Sequence, residues 1–69
     1  MRPISKQFGN NMKRIRLDKK MTQGDIVRKA KMDRGYVSSL ESGKRNPTLA
    51  NIGKIAKALG IPARDLLNE

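Results

Sequence analysis

The chain has no cysteine, no histidine and no tryptophan. Without cysteine no disulfide can staple the fold, and without either residue the usual zinc and iron–sulfur ligand sets are excluded. Phe8 and Tyr36 are the only aromatic residues, too few for a platform on which single-stranded bases stack. Acidic residues are also scarce: Asp18, Asp25, Asp33, Glu41, Asp65 and Glu69. Asp25 and Asp33 suit helix caps, whereas Asp18, Asp65 and Glu69 read as exposed. No acid–base pair, nucleophile with its base, or glycine-rich phosphate loop after a strand is visible, so an enzyme is not expected, nor a cofactor or a metal. No apolar run approaches the roughly 18 residues that cross a bilayer. Residues Met1 to Lys6 lack the apolar core of a signal peptide. The expectation is a soluble, cytoplasmic protein with no membrane partner.

What is abundant is positive charge. Sixteen Lys and Arg against six Asp and Glu give a net charge of +10 and a pI near 10.8. So strong a field favours polyanions, nucleic acid first and an anionic membrane surface second. The chain length of 69 residues leaves room for a single domain, expected over 1–69 with a short N-terminal arm at 1–4. A core of that size buries only about 60% of the unfolded surface, so packing or a partner subunit must supply stability.

The apolar spacing is helical nearly throughout. Ser5 is expected to cap a first helix with Phe8, Met12, Ile15 and Leu17 among its apolar positions. Thr22 reads as the next cap, and Asp25 three residues on makes a weaker version of a capping box. Ile26, Val27 and Ala30 face inward from that helix, although Gly24 weakens it by about 1 kcal/mol relative to alanine. Asp33 caps a third helix with Val37 and Leu40 inward, and Gly43 ends it. Pro47 and Thr48 open a fourth helix with Leu49, Ile52, Ile55, Ala56 and Leu59, which Gly60 stops. Residues 61–67 are expected to form a brief fifth helix with Pro62 in its first turn. The predicted architecture is therefore an all-α domain of five helices.

Two short helices joined by Lys31, Met32 and Asp33 match a helix-turn-helix, whose second helix enters the DNA major groove. That recognition helix runs over about 33–42, and its outward face carries Arg34, Gly35, Ser38, Ser39 and Ser42. Arg34 stands in the first turn, where the helix dipole offers a cation no reward. An arginine there is equipped to give two parallel hydrogen bonds to guanine O6 and N7.

The blocks "FGNNMKRIRLDKKMTQ", "MDRGYVSSLESGKRNPTL" and "IGKIAKALGI" resemble the Xre/Cro/phage-repressor helix-turn-helix family, from Phe8 to about Leu67. Within it, Asp33-Arg34, Tyr36, Ser38 and Arg45-Asn46 are similar to the controller proteins of restriction–modification operons. The resemblance implies a compact lambda-repressor-like fold and sequence-specific binding of double-stranded DNA. It implies base readout by Arg34, Gly35, Ser38 and Ser39, with Gly35 offering no side chain. It implies backbone contacts from Thr22, Gln23, Tyr36, Lys44, Arg45 and Asn46. Arg16 and Glu41 correspond to an ion pair tying the first helix to the third. The chain departs from the family pattern at Lys20 and Lys31, where glycine is usual, and at Val27, where alanine is customary.

One such module reads too few base pairs to select a site, and two-fold dimers solve this with half-sites about 34–36 Å apart. The apolar C-terminal end, Ile61, Leu66 and Leu67 with Leu59 of the fourth helix, is the expected homodimer surface. The alternative places these residues in the monomer core, and the resemblance favours the dimer. A regulator of this kind represses by covering a promoter or activates by contacting RNA polymerase beside it, working on the nucleoid. The alternatives are an antitoxin or small phage-type repressor of the same fold, and, from another class, a basic RNA-binding or membrane-surface module.

Overall fold

Pro3 has its φ fixed near −56°, and the chain turns helical directly behind it. Residues 3–68 are described in the computed structural model. Helix α1 spans Ile4–Asp18, α2 Gln23–Ala30, α3 Arg34–Glu41 and α4 Leu49–Leu59. The expected start at Ser5 is corrected: no side chain caps α1, and Ser5 lies inside it. Of the expected arm, Ile4 is already helical, while Met1 and Arg2 lie outside the described residues, as does Glu69.

The other three helices begin as local chemistry dictates. The Thr22 hydroxyl accepts from the Asp25 N–H at 3.1 Å, and the Asp25 carboxylate accepts from the Thr22 N–H at 2.8 Å. Asp33 accepts from the Tyr36 N–H, and the Thr48 hydroxyl from the Asn51 N–H, each at 3.1 Å. Gly43 and Gly60 take left-handed backbone angles after α3 and α4. Lys20 (φ 57°) and Lys31 (φ 56°) do the same without glycine's freedom, a strain of roughly 1–2 kcal/mol each.

A fifth helix does not form. Ala63–Leu66 is one 3-10 turn behind Pro62, because polar groups of α1 capture the chain as it leaves that turn. Gln7 Nε2 donates to the Leu67 carbonyl at 2.6 Å, and Asn11 Nδ2 donates to the carbonyls of Leu66 and Asn68 at 2.9 and 2.6 Å. Leu66 is thereby drawn fully inside.

Phe8, Met12, Ile15, Ile26, Val37, Leu40, Ile55, Leu59 and Leu66 fill the core between the helices. Leu17, named among the apolar positions of α1, is more than half exposed at the end of that helix. Gly9 makes the packing of α1 on α3 possible. A Cβ there would stand 2.5 and 2.6 Å from the carbonyl oxygens of Leu40 and Glu41. The two helix backbones touch at this point, and only glycine leaves them room. Among the described residues no helix is long and apolar enough to cross a membrane.

Candidate nucleic-acid interface

The end of α3 is fixed by a buried polar network. Glu41 receives Arg16 Nε at 2.6 Å, Arg16 Nη2 at 3.1 Å and Gln23 Nε2 at 3.1 Å. Arg16 Nη1 reaches the Met21 carbonyl at 2.8 Å. One carboxylate therefore joins α1, the start of α2 and the end of α3. Its charge is matched by Arg16 inside the protein and does not face outward. The Gln23 amide nitrogen is used as a brace, which leaves its carbonyl oxygen and second N–H for other partners.

Held this way, α3 buries Val37, Leu40 and Glu41 and turns Arg34, Gly35, Ser38 and Ser42 outward. Arg34, Ser38 and Ser42 recur at four-residue spacing, so they form one stripe along the exposed side. Neither of the two ion pairs among the described residues includes Arg34. Ser39 is half-buried, and its hydroxyl donates to the Tyr36 carbonyl at 2.7 Å. Its lone pairs stay available to a base donor, but its proton is engaged.

Tyr36 is half-buried and fastens α3 to the start of α4. Asn51 Nδ2 donates to its hydroxyl oxygen at 2.8 Å, leaving the phenolic proton free to be donated. The Arg45 guanidinium lies over the ring, 5.7 Å from its centroid, within reach of a cation–π attraction. Asn51 and this stacking were not anticipated from sequence. The spacing of 15 residues between Tyr36 and Asn51 carries no local signal. Lys44, Arg45 and Asn46 are all exposed in the α3–α4 loop, and the Lys44 N–H is anchored to the Ser39 carbonyl at 3.0 Å.

At the other edge, Thr22 is exposed at the start of α2. Arg28 pairs with Asp25. The Thr22 N–H bond holds the Asp25 carboxyl below the usual carboxylate range, and the Thr22 hydroxyl, Arg28 and Lys29 act in the same direction.

The expected dimer surface is corrected in part. Leu59 and Leu66 are 3% and 0% exposed and belong to the core of the monomer, because α4 and the 3-10 turn close over α1. Ile61 is half-buried against that core, and Leu67 is 39% exposed.

A family model described as helix-turn-helix matches residues 12–66. Control protein C.MunI from Mycoplasma sp is 39% identical over 70 residues, covering 100% of this chain and 95% of that protein. The restriction-modification controller protein C.AhdI from Aeromonas hydrophila superposes with a TM-score of 0.86 at 37% identity, over 90% of this chain and 94% of its own. A third relative, the controller protein C.Esp1396I, was solved as a tetramer in complex with its natural 35-base-pair operator. It gives a TM-score of 0.83 at 29% identity, over 99% of this chain and 100% of its own. With the helix pair, the braced α3 and these relatives in view, the chain belongs to the Xre/Cro-type helix-turn-helix family and closely resembles the controller proteins of restriction–modification systems.

Proposed function

We propose that this single helix-turn-helix domain regulates transcription as a two-fold homodimer, each copy setting α3 into the major groove of an operator half-site. The observation that carries this reading is Arg34. It is an exposed cation at the positive end of α3, and no carboxylate of the described residues pairs with it. Such a group is stabilised only by an acceptor from outside, and guanine O6 and N7 match its fork. Ser38 and Ser39 assist, while Gly35 lets the duplex approach the helix backbone.

Thr22, Gln23, Tyr36, Lys44, Arg45 and Asn46 hold the DNA backbone on both sides of that contact. The phenolic proton of Tyr36 and the open amide groups of Gln23 supply neutral hydrogen bonds, and Lys44 and Arg45 supply charge. Phosphate contacts of this kind position the protein, and base contacts select the site. Ile61 and Leu67, the members of the expected apolar end that remain at the surface, form the dimer contact. The likeness to C.MunI and C.AhdI supports a controller of a restriction–modification operon. The operator-bound tetramer of C.Esp1396I supports assembly of several copies on one operator. Contact with RNA polymerase beside the bound site is the route to activation, and promoter cover the route to repression.

Selection of bound sequences from random duplex DNA tests this directly. Two inverted half-sites about 34–36 Å apart are expected. Arg34→Ala should flatten base preference by about 1–3 kcal/mol at one position of each half-site. Lys44→Ala should weaken all duplexes alike. Equal losses on cognate and scrambled DNA from both variants refute the division of labour.

A further inference from the structure

Gly24 is buried although it stands in the first turn of a surface helix. What covers it is unusual. A Cβ built on Gly24 would lie 3.2 Å from Arg34 Nη2, 3.4 Å from Arg28 Nη1 and 3.5 Å from the Thr22 hydroxyl. The guanidinium of Arg34 thus crosses from α3 and rests against the bare backbone of α2. Arg28 stands on the same spot, tethered to Asp25.

We propose that Gly24 is a specificity-setting position, the seat that fixes where the Arg34 fork points. The proposal rests on the base-reading role of Arg34 given above and extends it to a residue that touches no base. Arginine loses rotamer freedom when it is fixed, so a fork already confined on one flank needs less ordering at a base edge. Gly24 supplies that flank because a Cβ there would push the Arg34 guanidinium away by a few tenths of an ångström. Arg28, whose Nη1 would stand 3.4 Å from the same point, adds like charge beside Arg34 and is itself paired with Asp25. Asp25 accepts from Thr22 and Arg28, and neither ion pair among the described residues joins it to Arg34. The seat holds Arg34 in place without neutralising it.

The same geometry makes the position testable without loss of the fold. The atoms a Cβ would meet are the far ends of flexible side chains, and alanine is the better helix former. Gly24→Ala therefore folds and is at least as stable as the parent. Gly24→Glu places a carboxylate beside Arg34 and draws its fork into an internal pair. Gly53 on α4 is the control, since it is exposed and a Cβ there meets nothing within 4 Å. Gly53→Ala and Gly53→Glu repeat the helix and charge changes far from Arg34.

The experiment measures binding of the full chain to its selected operator and to operators altered at the base pair that Arg34 reads. Five proteins are compared with the parent: Arg34→Ala, Gly24→Ala, Gly24→Glu, Gly53→Ala and Gly53→Glu. One bidentate contact discriminates by roughly five- to 150-fold. Gly24→Glu should lose most of that preference, as Arg34→Ala does, and Gly24→Ala should lose a severalfold part of it. Both Gly53 variants should keep it. If Arg34→Ala flattens the preference while Gly24→Glu leaves it at the level of Gly53→Glu, the seat is refuted and the reading of Arg34 stands. If Arg34→Ala itself leaves the preference unchanged, both fall together.

Discussion

Replacing Glu41 by leucine removes the acceptor on which three N–H donors converge, two from Arg16 and one from Gln23. The side chains of the ion pair are 10% and 4% exposed, so water cannot take over the lost bonds. Arg16 keeps its bond to the Met21 carbonyl but becomes an unmatched buried charge. Breaking a pair of this kind destabilises by about 3–5 kcal/mol. At the usual stability per residue, a 69-residue domain has roughly 3–10 kcal/mol in total. The single change therefore removes a large share of the stability. The melting temperature should fall by roughly 12–40 °C, at about 4–8 °C per kcal/mol for a domain of this size.

The companion variant separates charge burial from packing. Arg16→Met together with Glu41→Leu leaves no buried charge, and such apolar replacements of a buried pair are often neutral or stabilising by about 1–4 kcal/mol. Urea unfolding of the parent, both single variants and the double variant closes a thermodynamic cycle. The double variant should be more stable than Glu41→Leu alone. A single change that loses less than about 1 kcal/mol, or a double variant whose loss equals the sum of the singles, refutes the network as the tie between α1 and α3.

Gly9→Ala should destabilise the fold by about 1–3 kcal/mol or more, outweighing the gain of about 1 kcal/mol in helix propensity. Its Cβ meets two backbone carbonyls that cannot step aside, and thermal unfolding reads the loss. Leu66→Ala should cost about 2–5 kcal/mol of fold stability, because Leu66 is fully buried. Leu67→Asp should leave the unfolding midpoint of the monomer near that of the parent and weaken self-association, read by sedimentation. The Asp25 carboxyl is held below its ordinary range chiefly by the Thr22 N–H. Its contribution is therefore present above the unfolded value of about 3.9 and lost as pH falls through the lower folded value. An acid titration of stability followed by circular dichroism should show a shallower fall for Asp25→Asn over that window.

Much of the fold is legible because its signals are local. Thr22 with Asp25, Asp33, Thr48, Gly43 and Gly60 each announce a helix end within three residues of where it acts. The same locality explains the misreading at Ser5. A good capping side chain is irrelevant once Pro3 has already set the helical direction two residues earlier. The fifth helix fails for the opposite reason, since its fate is decided by Gln7 and Asn11, some 55 to 60 residues away. Apolar type alone could not divide Leu59 and Leu66 from Leu67. Which of them reach the core depends on how α4 and the last turn fold back over α1. In the interface, outward direction along α3 follows from helical spacing, so Arg34, Gly35 and Ser38 are exposed as the pattern implies. The partners of Tyr36 and the seat at Gly24 arise from contacts between helices, which no window of sequence contains.

These contacts put readout and stability on the same few elements. The residue that fixes the far end of α3, Glu41, also holds Gln23 at the start of α2, one position before Gly24. A change in the packing of α1 on α3 therefore moves the two edges between which Arg34 stands. This links Arg16 to the aim of Arg34 through the carboxylate and the first turn of α2. Neutralising the pair with apolar residues restores the packing of the helices without restoring the brace on Gln23. The double variant Arg16→Met/Glu41→Leu is thus expected to recover stability and still discriminate base pairs less sharply than the parent.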